Sequence, residues 1–222
     1  MNEPSRGLAR TTQILRFLLK YRGAGVFTGL DLENSTLRGA EPPPTEGKPE
    51  QFVDDLEAMG PTFVKIGQAL STRPDMVPAP YIAALERMQD DVAPIPFDQV
   101  RQVIEEALSA PIGVLFESFD PHPLGCASLA QVHRATLHDG CEVAVKVQRP
   151  GIVDVVRADL DAIAGLADKA DRHTEMGRRV HFADWVHEFR KTLLAELDYR
   201  AEAENLERFG DHLRGYPELV VP

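Results

Sequence analysis

The run CEVAVKVQ, residues 141–148, sets Val143, Val145 and Val147 on one side of an extended chain and Ala144, Lys146 and Gln148 on the other. Such a period-two separation fits a strand with one buried face. The preceding LAQVHRATL is also rich in strand-forming residues. Between the two runs, HDG supplies Asp139 and Gly140 for a turn, so they are read as an antiparallel hairpin. VLFESF, residues 114–119, is read as a further strand. The hairpin therefore projects Lys146 from the face opposite a valine core, and the small Ala144 beside it leaves room for a flat ligand.

Upstream of the hairpin the period is helical. In TTQILRFLLKYR (11–22), Ile14, Leu15, Leu18 and Leu19 form a stripe bordered by Arg16, Lys20 and Arg22, which predicts a short amphipathic helix, packed on its own domain in the favoured reading and docked on a membrane surface in the alternative. LRGAEPPPTEGKPE (37–50) is a linker, because three consecutive prolines forbid helix and sheet. Residues 51–72 are helical, with Pro61 opening a new turn, and helices are also predicted over 80–89 and in IPFDQVRQVIEEALSA. After RPG, Val153, Val156, Leu160, Ile163 and Ala167 mark a helix, a longer one runs from Ala183 to Phe209, and YPELVVP begins another strand. The expected class is α+β.

Charge and cysteine content narrow the function. A formal charge of -11 repels nucleic-acid backbones, so nucleic acid is excluded as a general partner. Cys126 and Cys141 have neither disulfide-framework nor metal-ligand spacing, so no metal site is expected, and a reduced cytoplasmic setting fits. The apolar run ILRFLL is interrupted by Arg16 and falls far short of the roughly 18 residues that a membrane span needs.

Three groups of residues carry candidate chemistry. The first is Lys146 with the small residues Gly125, Cys126, Ala127 and Ser128 ahead of the hairpin, whose backbone amides are able to approach phosphates. The second is AELDYRAEAEN (195–205). Here Asp198 and Glu202 are like-charged i,i+4 neighbours, while Glu196 and Glu202, six residues apart on one helix, differ by about 600° of rotation and point to different sides. They cannot both serve one lysine. The third is KIGQ, in which Lys65 and Gln68 share a helix face and Gly67 clears space for close approach.

Together these groups resemble the ABC1/UbiB/ADCK atypical kinase-like family. FVKIGQALSTRPDMVPAPYIAALERMQDDV, PLGCASLAQVHRA, VAVKVQRPGI and ELDYRAEAEN occur in the family's order over roughly residues 52–222. The resemblance implies a protein-kinase-like N-lobe, an antiparallel sheet with an αC-type helix, preceded by an N-terminal helical extension. It divides the chain into an amphipathic helix and linker (1–50), a helical KxGQ extension (51–112) and a truncated kinase-like N-lobe (113–222). By the same resemblance, Lys146 is the phosphate-contacting lysine, Glu202 its ion-pair partner, and Glu196 and Asp198 the ExD motif, with Glu196 meeting Lys65. Gly125 and Cys126 depart from the family's alanine-rich loop.

The intact family is expected to use ATP and Mg2+ and to serve ubiquinone biosynthesis or lipid metabolism through lipid or quinone-pathway partners, at the inner face of a membrane. Phosphoryl transfer also needs a catalytic-loop Asp and Asn and a DFG-type metal-binding Asp. Neither occurs here, and FGD at 209–211 is not DFG. The chain is therefore expected to be an amino-terminal portion without the C-lobe, with no complete Mg2+ site and no activity alone. Two alternatives are a non-catalytic regulatory or protein-binding module that retains the N-lobe and, third, a small-molecule phosphotransferase of the aminoglycoside or choline kinase type.

Overall fold

Alternating burial along the hairpin builds the sheet. The computed structural model describes residues 3–21, 26, 48–88, 92–216, 218, 219 and 221. Strands β1 (Ser118–Cys126), β2 (Ala130–Thr136) and β3 (Glu142–Gln148) form an antiparallel sheet in that order. The β2–β3 turn is closed by Leu137 N–H donating to the Cys141 carbonyl at 2.8 Å and by Cys141 N–H donating to Asp139 Oδ1 at 2.9 Å, with Gly140 at φ 84°. That is the chemistry HDG predicts.

Helix α5 (Phe97–Leu108) belongs to the same core as the valine-bearing face of the sheet. Val100, Ile104, Phe116, Ala135 and Val147 are buried together, and Phe97, Val103, Val143 and Val145 pack around them. VLFESF is not a strand throughout: residues 112–115 form the short helix α6 (Ile112–Leu115), and β1 begins only at Ser118. Pro111 at its N-cap favours a helix start there, a signal that the β-branched composition hid.

The helical arm preceding the sheet consists of α1 (Glu3–Tyr21), α2 (Pro49–Met59), α3 (Pro61–Ser71) and α4 (Ala79–Leu85). Phe52, Leu56, Phe63, Ile66, Leu70, Tyr81 and Leu85 are buried in it. Most of the predicted linker, residues 37–47, lies outside the described residues, as do Arg22 and the end of the 80–89 helix at Gln89.

The buried face of α1 differs from the predicted stripe. Ile14 and Tyr21 are 2% and 3% exposed, whereas Leu15, Leu18 and Leu19 are 44%, 38% and 52% exposed. The reason is aromatic and ionic packing one face around from the leucines. Phe17, Tyr21, Phe52 and Tyr81 form an aromatic cluster at ring separations of 4.8–5.4 Å, in which Phe17 stacks on Phe52 while Tyr21 and Tyr81 meet Phe52 edge to face. Arg10, on the same face, forms a two-pronged pair with Asp159, Nε to Oδ1 at 2.6 Å and Nη2 to Oδ2 at 2.8 Å. Its Nη2 also donates to the Met59 carbonyl at 2.6 Å, and the guanidinium lies 5.0 Å from the centre of the Phe63 ring. One side chain thereby ties α1, the end of α2, α3 and α7 (Ile152–His173).

The chain divides into two compact units, residues 1–166 and 167–222. The second contains the end of α7, then α8 (Glu175–Val180), α9 (Phe182–Glu196) and α10 (Tyr199–Leu213). The Thr174 hydroxyl accepts from Gly177 N–H to cap α8, and the Asp171 carboxylate accepts from Phe182 and Ala183 N–H at 3.0 and 2.9 Å to cap α9. Of the closing YPELVVP, the described residues carry no strand.

Arg10→Met leaves the buried Asp159 carboxylate without its cation, and the expected loss of unfolding free energy is about 3–5 kcal/mol. Urea denaturation measures it; a loss below about 1 kcal/mol shows that the pair does not anchor α1.

Candidate functional site

The sheet has two chemically different faces. Toward α5 lie the valines, together with a buried polar chain made by Gln131 and His133. His133 Nδ1 is 2.8 Å from the Asp120 carbonyl, which makes it the N–H donor, so Nε2 accepts from the Gln131 side-chain amide at 2.7 Å. The Gln131 Oε1 atom then accepts from Ile95 N–H at 2.9 Å. Both side chains are thus hydrogen-bonded, as burial at 0–1% exposure demands.

The other face carries Lys146. In the β2–β3 register Val132 is opposite Lys146 and Arg134 is opposite Ala144, and in the β1–β2 register Gly125 is opposite Val132. Directly opposed residues of antiparallel strands place their side chains on the same face. Gly125, Val132 and Lys146 thus form one row across three strands, with Ala144 diagonal to Val132. A Cβ added at Gly125 would meet nothing within 4 Å, so the row is open above the glycine. The result is a flat, partly apolar surface with an amine at its edge, suited to a planar ring bearing an anionic tail. Val132 was not legible as a site residue, because only the register brings it beside Lys146.

The loop ahead of the hairpin is shorter than its small residues suggest. Gly125 and Cys126 belong to β1, and the turn is closed by Ala127 N–H donating to the Ala130 carbonyl at 2.8 Å. The Ala127 amide is therefore engaged within the hairpin. Ser128 is 1% exposed, backbone included, and its hydroxyl has no hydrogen-bond partner among the described residues, so the whole residue is turned into the fold rather than toward a surface ligand.

In α3, Lys65 and Gln68 are both half-buried and sit i,i+3. The space at Gly67 is filled: a Cβ there would lie 2.3 Å from Met88 Cε and 3.1 Å from Leu56 Cδ1. Gly67 admits the Met88 side chain against the helix, so its first duty is packing.

The acidic segment is not one helix. α9 ends at Glu196, Leu197 is buried, and α10 starts at Tyr199 with Asp198 as its N-cap at ψ 84°. The Asp198 carboxylate accepts from Ala201 N–H at 3.1 Å. Glu196 and Glu202 therefore stand on different helices, and no rotation of about 600° along one continuous helix separates them. Nor is the Asp198–Glu202 pair simply repulsive, because both carboxylates lie at the positive end of α10, where negative charge is favourable. Lys146 and Lys65 lie in the first compact unit, and Glu196, Asp198 and Glu202 in the second. Among the described residues no group of three or more His, Cys, Asp or Glu side chains is arranged to hold a metal ion.

Comparison with known proteins points one way. Residues 87–222 match the ABC1 atypical kinase-like domain. A protein of Marinobacter nauticus named "Probable protein kinase UbiB" is 41% identical over 167 residues, 75% of this chain and 30% of that protein. Its namesake in Cellvibrio japonicus is 39% identical over 181 residues, 82% of this chain and 33% of that protein. Among solved structures, Rv3197 of Mycobacterium tuberculosis, determined as a complex with erythromycin, superposes with a TM-score of 0.50 at 33% identity, covering 71% of this chain and 40% of that one. The chain spans about a third of the length of these curated relatives.

Two substitutions separate structural from functional duty. Gly67→Ala is expected to cost about 1–3 kcal/mol by overpacking, with Met88→Leu in the same chain recovering most of it in thermal unfolding. Asp198→Ala is expected to cost about 1 kcal/mol as a lost cap, and Asp198→Asn much less; equal losses by circular dichroism would deny the capping role.

Proposed function

The chain belongs to the ABC1 atypical kinase-like family, and from that membership we propose that it is the nucleotide-holding part of an ATP-dependent protein acting in ubiquinone biosynthesis or lipid metabolism. The observation that carries this reading is the row Gly125–Val132–Lys146 with Ala144 beside it, on the sheet face opposite the valine core. A base and sugar lie along Val132 and Ala144, and the phosphates reach Lys146, whose ammonium balances their charge. Glu202 is proposed as the partner of Lys146, and Glu196 as the partner of Lys65. With α9 and α10 separate helices, this division rests on the family motifs alone.

When bound with ATP, Mg2+ would neutralise the phosphate oxygens. The chain's own contribution is to bind and orient the nucleotide, and turnover is assigned to no residue in it. A cytoplasmic setting, peripheral to a membrane, belongs to the same reading; it is supported by the leucines that α1 turns outward, Leu8, Leu15, Leu18 and Leu19.

Equilibrium titration of the 222-residue chain with a fluorescent ATP analogue tests the site. Lys146→Met is expected to weaken binding by about tenfold or more, the scale of one charge-assisted contact, and the wild-type chain is expected to release no phosphate. Undiminished binding by the variant removes Lys146 from the site, and ATP hydrolysis sensitive to Lys146→Ala overturns the assignment of turnover elsewhere.

A further inference from the structure

Strand β1 carries more residues than β2 can match. Phe119 stands opposite Ala135 and Pro123 opposite His133, so Asp120, Pro121 and His122 together face the single Arg134. Between the Pro123–His133 and Gly125–Val132 pairs, Leu124 has no partner. Side-chain contacts agree with this register. Ser118 Oγ donates to Thr136 Oγ1 at 3.0 Å on the Lys146 face, while the Phe119 and His133 rings lie 5.2 Å apart on the core face. Ser118 and Gly125 therefore share a face, although residues an odd number apart in an unbroken strand point to opposite ones.

The two irregularities do different things. The unpaired Leu124 turns the strand over, so that Gly125 takes the place opposite Val132 that Leu124 would otherwise hold. The 120–122 bulge sets three residues against one, and its two extra residues slide β1 along β2 without changing its face. Without that bulge Pro123 would stand opposite Val132, and its ring would cover the row that leads to Lys146. As built, the position is open: Gly125 is exposed, and a Cβ there would meet nothing within 4 Å.

The bulge is held from both sides. On the outside the Asp120 carboxylate accepts from His122 N–H at 2.9 Å. On the inside His133 Nδ1–H donates to the Asp120 carbonyl at 2.8 Å, and the Gln131 amide at 2.7 Å fixes the other ring nitrogen. We propose that His133 is a positioning residue of the nucleotide site: by holding the Asp120 carbonyl it maintains the 120–122 bulge, and the bulge keeps a glycine rather than a proline beside Val132 and Lys146. The benefit to a nucleotide rests on the reading above, whereas the control of register depends on no ligand.

The test uses the full 222-residue chain with His133→Asn and His133→Gln, each made also in a chain lacking Pro121 and His122. ATP titration and the NMR contact between Gly125 and Val132 are the readouts. Asparagine reaches the place of Nδ1 and keeps the donor to Asp120, and glutamine reaches the place of Nε2 and loses it. Each keeps one of the two ring hydrogen bonds, so a merely structural role would make the variants alike. His133→Gln is expected to lose the Gly125–Val132 contact and about tenfold in ATP affinity, and His133→Asn to keep both.

Removing Pro121 and His122 leaves Asp120 opposite Arg134 and Gly125 opposite Val132 with no bulge to hold. In that shortened chain His133→Gln is expected to bind ATP as tightly as its parent. A Gln variant that folds only when shortened supports the proposal, and one that fails to fold in either chain overturns it, as does an equal loss of affinity in both. A Gly125–Val132 contact that survives His133→Gln, or is lost in His133→Asn, overturns the control of register. If that contact is lost while ATP affinity is kept, the positioning role is wrong and the nucleotide reading stands. If the wild-type chain does not bind ATP, the nucleotide reading fails and takes the positioning role with it, and the NMR contact alone decides the register.

Discussion

Burial of one face of β3 is the constraint from which the candidate site follows. Val143, Val145 and Val147 contribute to one core with α5, and because a strand alternates its side chains, Ala144 and Lys146 must then face the other way. A slip of one residue in register would bury the lysine and expose the valines. Apolar packing therefore selects the functional face without any contribution from ligand. The buried Gln131–His133 chain strengthens this selection: moving β2 relative to Asp120 or Ile95 would break its hydrogen bonds to them and leave buried polar groups unpaired.

The acidic segment shows how a local backbone event redistributes charge. Read as a continuous helix, AELDYRAEAEN places like charges in succession. The chain instead stops α9 at Glu196, buries Leu197 and restarts with Asp198 as a cap. One carboxylate that looked like a cost becomes a hydrogen-bond acceptor for the helix it precedes. Glu196 and Asp198 are exposed on either side of the buried leucine, which gives the ExD spacing a structural reason that periodicity did not suggest.

The arm before the sheet is held by a few strongly directional contacts. Arg10 reaches Asp159 and the Met59 carbonyl, and the Tyr21 hydroxyl and Lys20 ammonium both donate to Asp55 at 2.7 and 2.6 Å. Burial opposes ionisation of the Asp55 carboxyl, but the hydrogen bonds from Lys20 and Tyr21 outweigh it and hold the pKa below the usual value. These contacts select the arginine-and-aromatic face of α1 over its leucine face, against the order that hydrophobicity alone would give.

The amino-acid sequence by itself determined the family, the antiparallel hairpin with its Asp139–Gly140 turn, the outward projection of Lys146 and the helical character of the first half. Each of these depends on residue type and spacing over a few positions. Tertiary structure decided the pairing of Val132 with Lys146, the filling of the Gly67 space by Met88, the break at Leu197, the buried face of α1 and the register shifts of β1 that bring Gly125 opposite Val132. These outcomes depend on cross-strand register, on competition between alternative faces for the core, or on partners tens of residues away, and periodicity within one segment contains none of that information.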